Sequence, residues 1–365
     1  MGSLLLDARW LSTGIGAYTL NLIKEIHSCS DINLRLVTLP RHAEQLKTFC
    51  RDVGLVDASM YSIKEQFAVA CAARDSSVLH VPHYNAPVMY QGTLLVTILD
   101  LTHILDRTYK RTLKSRLYAR PILSLVSKKA KHIFTLSEYS KRTLIEGLGL
   151  PEDKVTVTYC GVGSHFYPED RDKAAEVMQR ECGVTRPYIL FVGNLKPHKN
   201  ISALLRAYAK LTRQSSQDCE LVIVGEGAKG APMLKALASQ LGIQKRTKFI
   251  SSVTDDVLRC AYSAAQVTVL PSFEEGFGLP VIESMACGTP VACSNTAALP
   301  EVGGSAATYF DPEDPDSIPA AILSLMESAD RWKKQQQLGF ENISRFSWST
   351  CAEIHLEVYR RYVMN

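Results

Sequence analysis

Two carboxylates eight residues apart, Glu275 and Glu283, bracket a stretch that reads "EEGFGLPVIE" from Glu274 to Glu283. Between them lie Gly276, Gly278 and Pro280, residue types of a tight turn that leads into a helix. Val267–Leu270 reads as a buried strand ending at Pro271, and Val281–Cys287 as a short helix stopped by Gly288. Pro280 is expected at the first helical position, with Glu283 in the first turn. Glu274–Leu279 is then a loop at the carboxyl end of a strand. Its glycines let a ligand approach the backbone, and the free N–H groups of the next helix suit a phosphate. Carboxylates are poor company for phosphate but accept hydrogen bonds from hydroxyl groups. A ligand with phosphates in the middle and hydroxyl-bearing rings at both ends meets all of these demands, and a nucleotide sugar has that form. The spacing alone is equally well met by Glu283 complementing a helix dipole and Glu275 lying in water.

The elements that must position such a loop recur along the chain. In the first half, Leu4–Asp7, Leu34–Leu39, Val78–Val81, Leu94–Leu99, Ile133–Leu136 and Val155–Tyr159 read as buried strands. Amphipathic stretches such as Ala17–Ile26 and Ser137–Glu146 lie between them, the latter opened by the N-cap type Ser137. In the second half the strands are Tyr188–Val192, Glu220–Val224, Thr247–Ile250, Val267–Leu270, Pro290–Cys293 and Ala307–Phe310. Ile201–Leu211, Met233–Leu241, Asp255–Ala264 and Val281–Cys287 read as the intervening helices. Strand–helix alternation of this kind predicts an α/β chain with mostly parallel sheets covered on both faces. The charge-rich stretch "PEDRDKAAEVMQRECGVTR" (Pro168–Arg186) is the expected boundary between two Rossmann-like domains, with ligands on the loops facing a central cleft.

Composition narrows the class. The chain has 365 residues, 46% hydrophobic and 21% charged, as in ordinary globular proteins of two domains. A net charge of +4 is too small to argue for nucleic acid, and none is expected as a partner. The ten cysteines show no C-x-x-C and no zinc-type spacing, which fits a reducing compartment. The start "MGSLLLDARW" does not read as a signal peptide, and no run of about 18 apolar residues suggests a spanning helix, so the expected location is cytoplasmic.

Beyond spacing, "EEGFGLPVIE" resembles the E-x7-E motif of retaining glycosyltransferases of family 4, which adopt the GT-B fold. "YILFVGNLKPHKN" (Tyr188–Asn200), "LPEVGG", "YFDPED" and "FSWSTCAEIHLEVYRR" resemble further segments of that family. In the first half "GIGAY" (Gly14–Tyr18), "HVPHY" (His80–Tyr84), "VTILDLTH" (Val96–His103) and "TLSEYSKRTL" (Thr135–Leu144) do so as well. The resemblance implies an acceptor-side domain over 1–168, a donor-side domain over 169–345, and a last helix within 346–365 that crosses back to the first. Glu283 would hold ribose hydroxyls. Glu275 would bind the donor sugar, with backbone groups of Gly276, Phe277, Gly278 and Leu279 near sugar and diphosphate. Lys199 would neutralise the leaving diphosphate. Gly14 and Gly16 would let the N-terminal loop face it, Asn194 stands where many members carry an arginine, and backbone near Ser252 and Val253 would meet the base. His83, Tyr84 and Asp100 are candidates on the acceptor side.

Three departures bear on this assignment. Leu99 stands where many members have a histidine before the aspartate, so that its role is either lost or taken by His103 or His83. Asn194 and Ala17 replace common arginines, which removes two cations near a diphosphate. The implied chemistry is transfer of a hexose, mannose-like or glucose-like, with retention and without a metal or cofactor. The donor would be GDP-mannose or a UDP-sugar, and the acceptor a glycan or a polyprenyl-diphosphate-linked chain, as in polysaccharide biosynthesis. The aspartate pairs Asp170/Asp172 and Asp314/Asp316 read as solvated loop residues rather than metal ligands. Between Arg107 and Ser137 there are nine lysines and arginines and no acid, which reads as a solvated helix face or as peripheral contact with anionic lipid through 107–131. A GT-B nucleotide-sugar epimerase and a nucleotide-sugar-binding protein that has lost transfer remain as alternatives.

Overall fold

A computed structural model describes residues 2–11, 15–28, 32–101, 113–214, 218–227 and 230–363, with backbone alone for 113–118 and 214. The chain divides into two compact units: Met1–Gly161 together with Ser347–Asn365, and Val162–Phe346.

The first unit runs β1 (Ser3–Asp7), α1 (Gly16–His27), β2 (Asn33–Thr38), α2 (Ala43–Lys47), β3 (Val53–Leu55), α3 (Ile63–Ala72), β4 (Val78–Val81), β5 (Thr93–Thr97), α4 (Leu113–Lys129), β6 (His132–Thr135), α5 (Glu138–Leu148) and β7 (Val155–Val157). Its strands are all parallel in the order β3-β2-β1-β4-β5-β6-β7. Strands such as Leu4–Leu6 and Leu94–Val96 are continuous apolar runs because helices cover both faces of a parallel sheet. Strand β3 escaped the sequence pattern. It is three residues long, contains Gly54, and exposes Leu55 at the sheet edge, so no alternation or apolar run marks it.

The second unit runs α6 (Arg171–Cys182), β8 (Tyr188–Val192), α7 (Ile201–Gln214), β9 (Glu220–Val224), α8 (Gly230–Gln240), β10 (Thr247–Ile250), α9 (Asp255–Ala264), β11 (Val267–Leu270), α10 (Leu279–Ala286), β12 (Val291–Ser294), α11 (Leu299–Gly303), β13 (Ala307–Phe310), α12 (Ser317–Met326) and α13 (Ala329–Ile343). Its sheet, also parallel, has the order β10-β9-β8-β11-β12-β13. The stretch expected to be a linker is helix α6. Asp170 caps it by accepting from the Lys173 N–H at 3.0 Å, and Gly183 ends it at φ 65°. Ala174 and Met178, one turn apart, are its buried residues, with Val177 and Cys182 partly buried beside them, a stripe narrow enough for the helix to resemble a tether in sequence. The division expected at Pro168 falls after Gly161. Phe166 meets Tyr262 edge-on at 5.8 Å, Arg259 lies over Tyr167, and the Glu169 N–H donates to Ser263, all within the second unit.

The closing helix α14 (Trp348–Val363) groups with the first unit. Its inward stripe is Trp348, Cys351, Ala352, His355, Leu356 and Tyr359, at three- and four-residue spacing. A fully buried hydrogen-bond chain ties it down. His355 Nδ1 donates to the Cys351 carbonyl at 2.7 Å, because a carbonyl only accepts. Its Nε2 therefore accepts from the Tyr18 hydroxyl at 2.8 Å. Tyr18 oxygen in turn accepts from Thr97 (3.1 Å), Thr97 oxygen from His80 Nε2 (2.9 Å), and His80 Nδ1 from Tyr359 (2.6 Å). Every donor is used only while both histidines are neutral. Burial pushes His355 down to about 4 and His80 well below the ordinary histidine value.

Candidate active site

Strand order dictates where a ligand can enter each sheet. In the second unit the chain steps from β8 outward to β9 and β10, then returns to β11 on the other side of β8. The carboxyl ends of β8 and β11 therefore diverge into opposite directions, and such a switch point opens a crevice. The two loops leaving it carry Lys199 and Glu275.

After β8, a short 3-10 turn, Pro197–Lys199, is held by Asn200. That residue adopts a left-handed conformation (φ 52°) and donates its side-chain amide to the Pro312 carbonyl at 3.1 Å. The Phe273 N–H donates to the His198 carbonyl at 2.8 Å, joining this turn to the loop after β11. Lys199 Nζ consequently reaches Glu275 Oε1 at 2.6 Å, with both side chains close to nine-tenths buried. Ser272 donates to the same oxygen at 2.7 Å. Glu275 Oε2 has no partner among the described residues, and the lysine keeps two further N–H donors.

Gly278 makes the bend. At φ 99° it is left-handed, and a Cβ there would come within 2.7 Å of the Leu299 side chain. Helix α10 starts at once, with Pro280 in its opening turn and no side-chain cap or acid among its first residues. Glu283 thus lies in the second turn rather than the first, and complementing the helix dipole is not its role. Its Oε2 accepts from the Tyr262 hydroxyl of α9 at 2.7 Å, leaving Oε1 without a partner among the described residues. Loss of water raises the half-buried Glu283 to about 7, against the pull of the Tyr262 hydrogen bond. Both glutamates therefore share one design: one oxygen is gripped by an inner donor and one is left to accept.

The remaining expected residues fall as follows. Gly276 is buried, and the Phe277 side chain packs edge-on against Phe346 at 5.6 Å, so only backbone there is available to a ligand. Asn194 is exposed two residues past β8, and Val253 is half-buried past β10. Gly193 and Gly225 went unnoticed in the sequence. A Cβ on Gly225 would lie 1.8 Å from the Gly193 carbonyl oxygen, so the loops after β8 and β9 touch backbone to backbone.

In the first unit the switch point lies between β1 and β4. His83 and Tyr84 follow β4 and come together with Trp10, which follows β1. His83 stacks on Trp10 at 4.0 Å, and its Nδ1 accepts from the Asn85 N–H at 2.9 Å. Beneath them Arg9 is 1% exposed, bidentate to Asp7 (2.8 and 2.6 Å) and 3.0 Å from Glu65. Burial raises Glu65, and it accepts from Asn85. This ion cluster was missed, although "DAR" directly after a triple leucine run is its sequence mark. Asp100, past β5, is half-buried. Gly16 begins α1, where a Cβ would fall 2.0 Å from the Leu11 carbonyl oxygen, so close packing of the chain on itself already requires glycine. Gly14, His103 and Arg107–Arg111 lie outside the described residues, as do the side chains of Lys114 and Arg116. Among the described residues no three His, Cys, Asp or Glu side chains are grouped as for a metal ion, and no helix is long and apolar enough to cross a membrane.

Two parallel α/β units, each with a loop-lined switch point, make up the GT-B architecture. The fold matches sucrose-phosphate synthase from Thermosynechococcus elongatus with a TM-score of 0.82 at 20% identity, covering 99% of each chain. It also matches Anabaena HepE solved with UDP-glucose, at 0.81 and 17%, covering 99% of this chain and all of that one. Residues 173–342 match the family of glycosyl transferases group 1, and residues 13–166 match glycosyltransferase family 4. The O-antigen chain mannosyltransferase B of Escherichia coli is 29% identical in an alignment 370 positions long that covers 95% of this chain and 96% of that protein. A D-inositol 3-phosphate glycosyltransferase of Corynebacterium jeikeium is 31% identical over 59% of this chain and 54% of its own length. The chain belongs to the group 1 glycosyltransferases of the family 4 kind, enzymes that use nucleotide sugars.

Proposed function

We propose that this enzyme moves a hexose, with retention at the anomeric carbon, from a nucleotide diphosphate sugar to a glycan or a polyprenyl-diphosphate-linked chain. Mannose from GDP-mannose is the first choice of donor, favoured by the similarity to O-antigen mannosyltransferase B along nearly the whole chain. UDP-sugars come next, because HepE carries UDP-glucose on the same fold. The observation that carries the assignment is the Lys199–Glu275 pair at the switch point, with one carboxylate oxygen and two ammonium N–H groups unused.

In this reading the second unit binds the donor and the first unit the acceptor. Glu283 Oε1 accepts from ribose hydroxyls, and Glu275 Oε2 from hydroxyls of the sugar. Backbone N–H groups from Gly276 to Leu279 meet the diphosphate. The bond between the anomeric carbon and the diphosphate oxygen breaks while the acceptor oxygen bonds to the same face, and the acceptor proton passes to the departing phosphate. Negative charge grows on that phosphate, and the Lys199 ammonium is the cation that meets it, with no metal ion called for. A preorganised group of this kind contributes about 3–4 kcal/mol to the transition state. His83, Tyr84 and Asp100 flank the acceptor in this scheme. The basic stretch 107–131 would hold the enzyme against anionic lipid on the cytoplasmic face.

The test is transfer and slow donor hydrolysis measured with GDP-mannose, UDP-glucose and related sugars, followed by the anomeric configuration of the product. Lys199→Ala should lower kcat by about 10²–10³ with a smaller change in the affinity for the free nucleotide. Unchanged turnover in Lys199→Ala, or no turnover of any nucleotide sugar by the intact enzyme, would remove the assignment.

A further inference from the structure

We infer that Tyr262 is the positioning residue for Glu283: its phenol fixes one carboxylate oxygen and leaves the other for the ribose of the donor nucleotide. This rests on the assignment of Glu283 to the ribose given above, and it adds a residue that no sequence motif singled out.

The geometry is specific. The Tyr262 hydroxyl donates to Glu283 Oε2 at 2.7 Å across from α9 to α10. Tyr262 cannot drift, since it is fully buried with Phe166 against its ring. Its carbonyl accepts from the Thr289 hydroxyl at 2.7 Å, which fixes the backbone as well. Burial pushes the phenol's own ionisation well up, so at any working pH it is a donor to the carboxylate.

Among the described residues no cation takes that part. Arg259, on the same helix, is engaged by Asp256 at 2.8 Å and Glu169 at 3.7 Å. The other titratable groups facing Glu283 are Asp255 at the start of α9 and Cys287 at the end of α10. Asp255 disfavours the ionised carboxylate, and Cys287 is held protonated by burial. The phenol is thus the group that favours the ionised form of Glu283, against the loss of water that raises it. An ionised carboxylate is the stronger acceptor for sugar hydroxyls.

Calorimetric titration of the intact enzyme with UDP and GDP, repeated from about pH 6.5 to about pH 9, tests this with Tyr262→Phe and Glu283→Gln. Removing the hydroxyl should raise the carboxyl by about one unit, which cuts its ionised fraction about threefold near pH 7.5. Tyr262→Phe should therefore bind the nucleotide about threefold more weakly there and return to the wild-type value near pH 9, whereas Glu283→Gln stays weak throughout. Wild-type affinity in Tyr262→Phe at every pH would overturn the inference. So would a weakening that persists unchanged at high pH, because lost packing does not titrate. If Tyr262→Phe fails to fold, fluorotyrosine placed at 262 strengthens the donated bond and should move the profile to lower pH; an unmoved profile overturns the inference. If the wild type binds neither nucleotide, the ribose assignment itself falls and takes this role with it. If Glu283→Gln binds poorly while Tyr262→Phe does not titrate, only the role of Tyr262 falls.

Discussion

Lowering the pH from about 7 to 5 should weaken the first unit while strengthening the second, because their buried titratable groups are shifted in opposite senses. In the first unit His355 and His132 are each held at about 4, chiefly by loss of water, and His80 is also held low. A histidine with a folded value below its ordinary 6.5 binds fewer protons in the native chain than in the unfolded one. Its contribution is complete above about pH 6.5 and is lost as pH falls towards 4. Between pH 7 and 5 each of the two histidines removes about 2 kcal/mol, so together they remove about 4 kcal/mol. Buried Glu65 is raised and offsets part of this. In the second unit Glu283, raised to about 7, binds more protons in the native chain between its ordinary value and 7. Its effect has the reverse sign and adds about 2 kcal/mol over the same interval. Hydrogen exchange followed by mass spectrometry, corrected for intrinsic rates, reads the two units separately through amides of β4–β6 and β9–β12. His355→Gln should reduce the acid sensitivity of the first unit by about 2 kcal/mol. Protection that falls equally in both units on acidification, or a first unit indifferent to pH, would refute the reasoning.

Two further outcomes follow from backbone and core geometry. Gly225→Ala should destabilise the second unit by more than about 2 kcal/mol in urea denaturation, since its methyl group would overlap the Gly193 carbonyl and its φ of 156° disfavours a side chain. A melt indistinguishable from the wild type would refute that contact. Tyr18→Phe should cost about 1–3 kcal/mol, because it leaves the buried His355 Nε2 without a donor and the Thr97 O–H without an acceptor, His80 still donating to the Thr97 oxygen. The loss should appear first as increased exchange or proteolysis of α14; an unchanged α14 would show that the hydrogen-bond chain does not hold it.

The sequence alone determined the two series of parallel strands, because strands buried on both faces are unbroken apolar runs such as "SLLLD" and "ELVIV". It also marked the bend at Gly276–Pro280, because glycine and proline are local signals, whereas the partnership of Glu275, Glu283 and Lys199 stood out only through their resemblance to a family motif. Its reading of Pro168–Arg186 as a tether failed where the inward stripe was only Ala174, Val177, Met178 and Cys182 among many charges. Strand β3 failed for want of any pattern. What only the tertiary structure decided is which oxygen of each glutamate is used up. Tyr262 and Ser272 reach those oxygens from α9 and from the strand end, and nothing in "CAYSA" or "LPSF" distinguishes a donor from a core residue. The same holds for Tyr18, His80 and His355. Residues hundreds of positions apart become one hydrogen-bond chain only when α14 docks, since a buried donor must find its acceptor in space rather than along the chain.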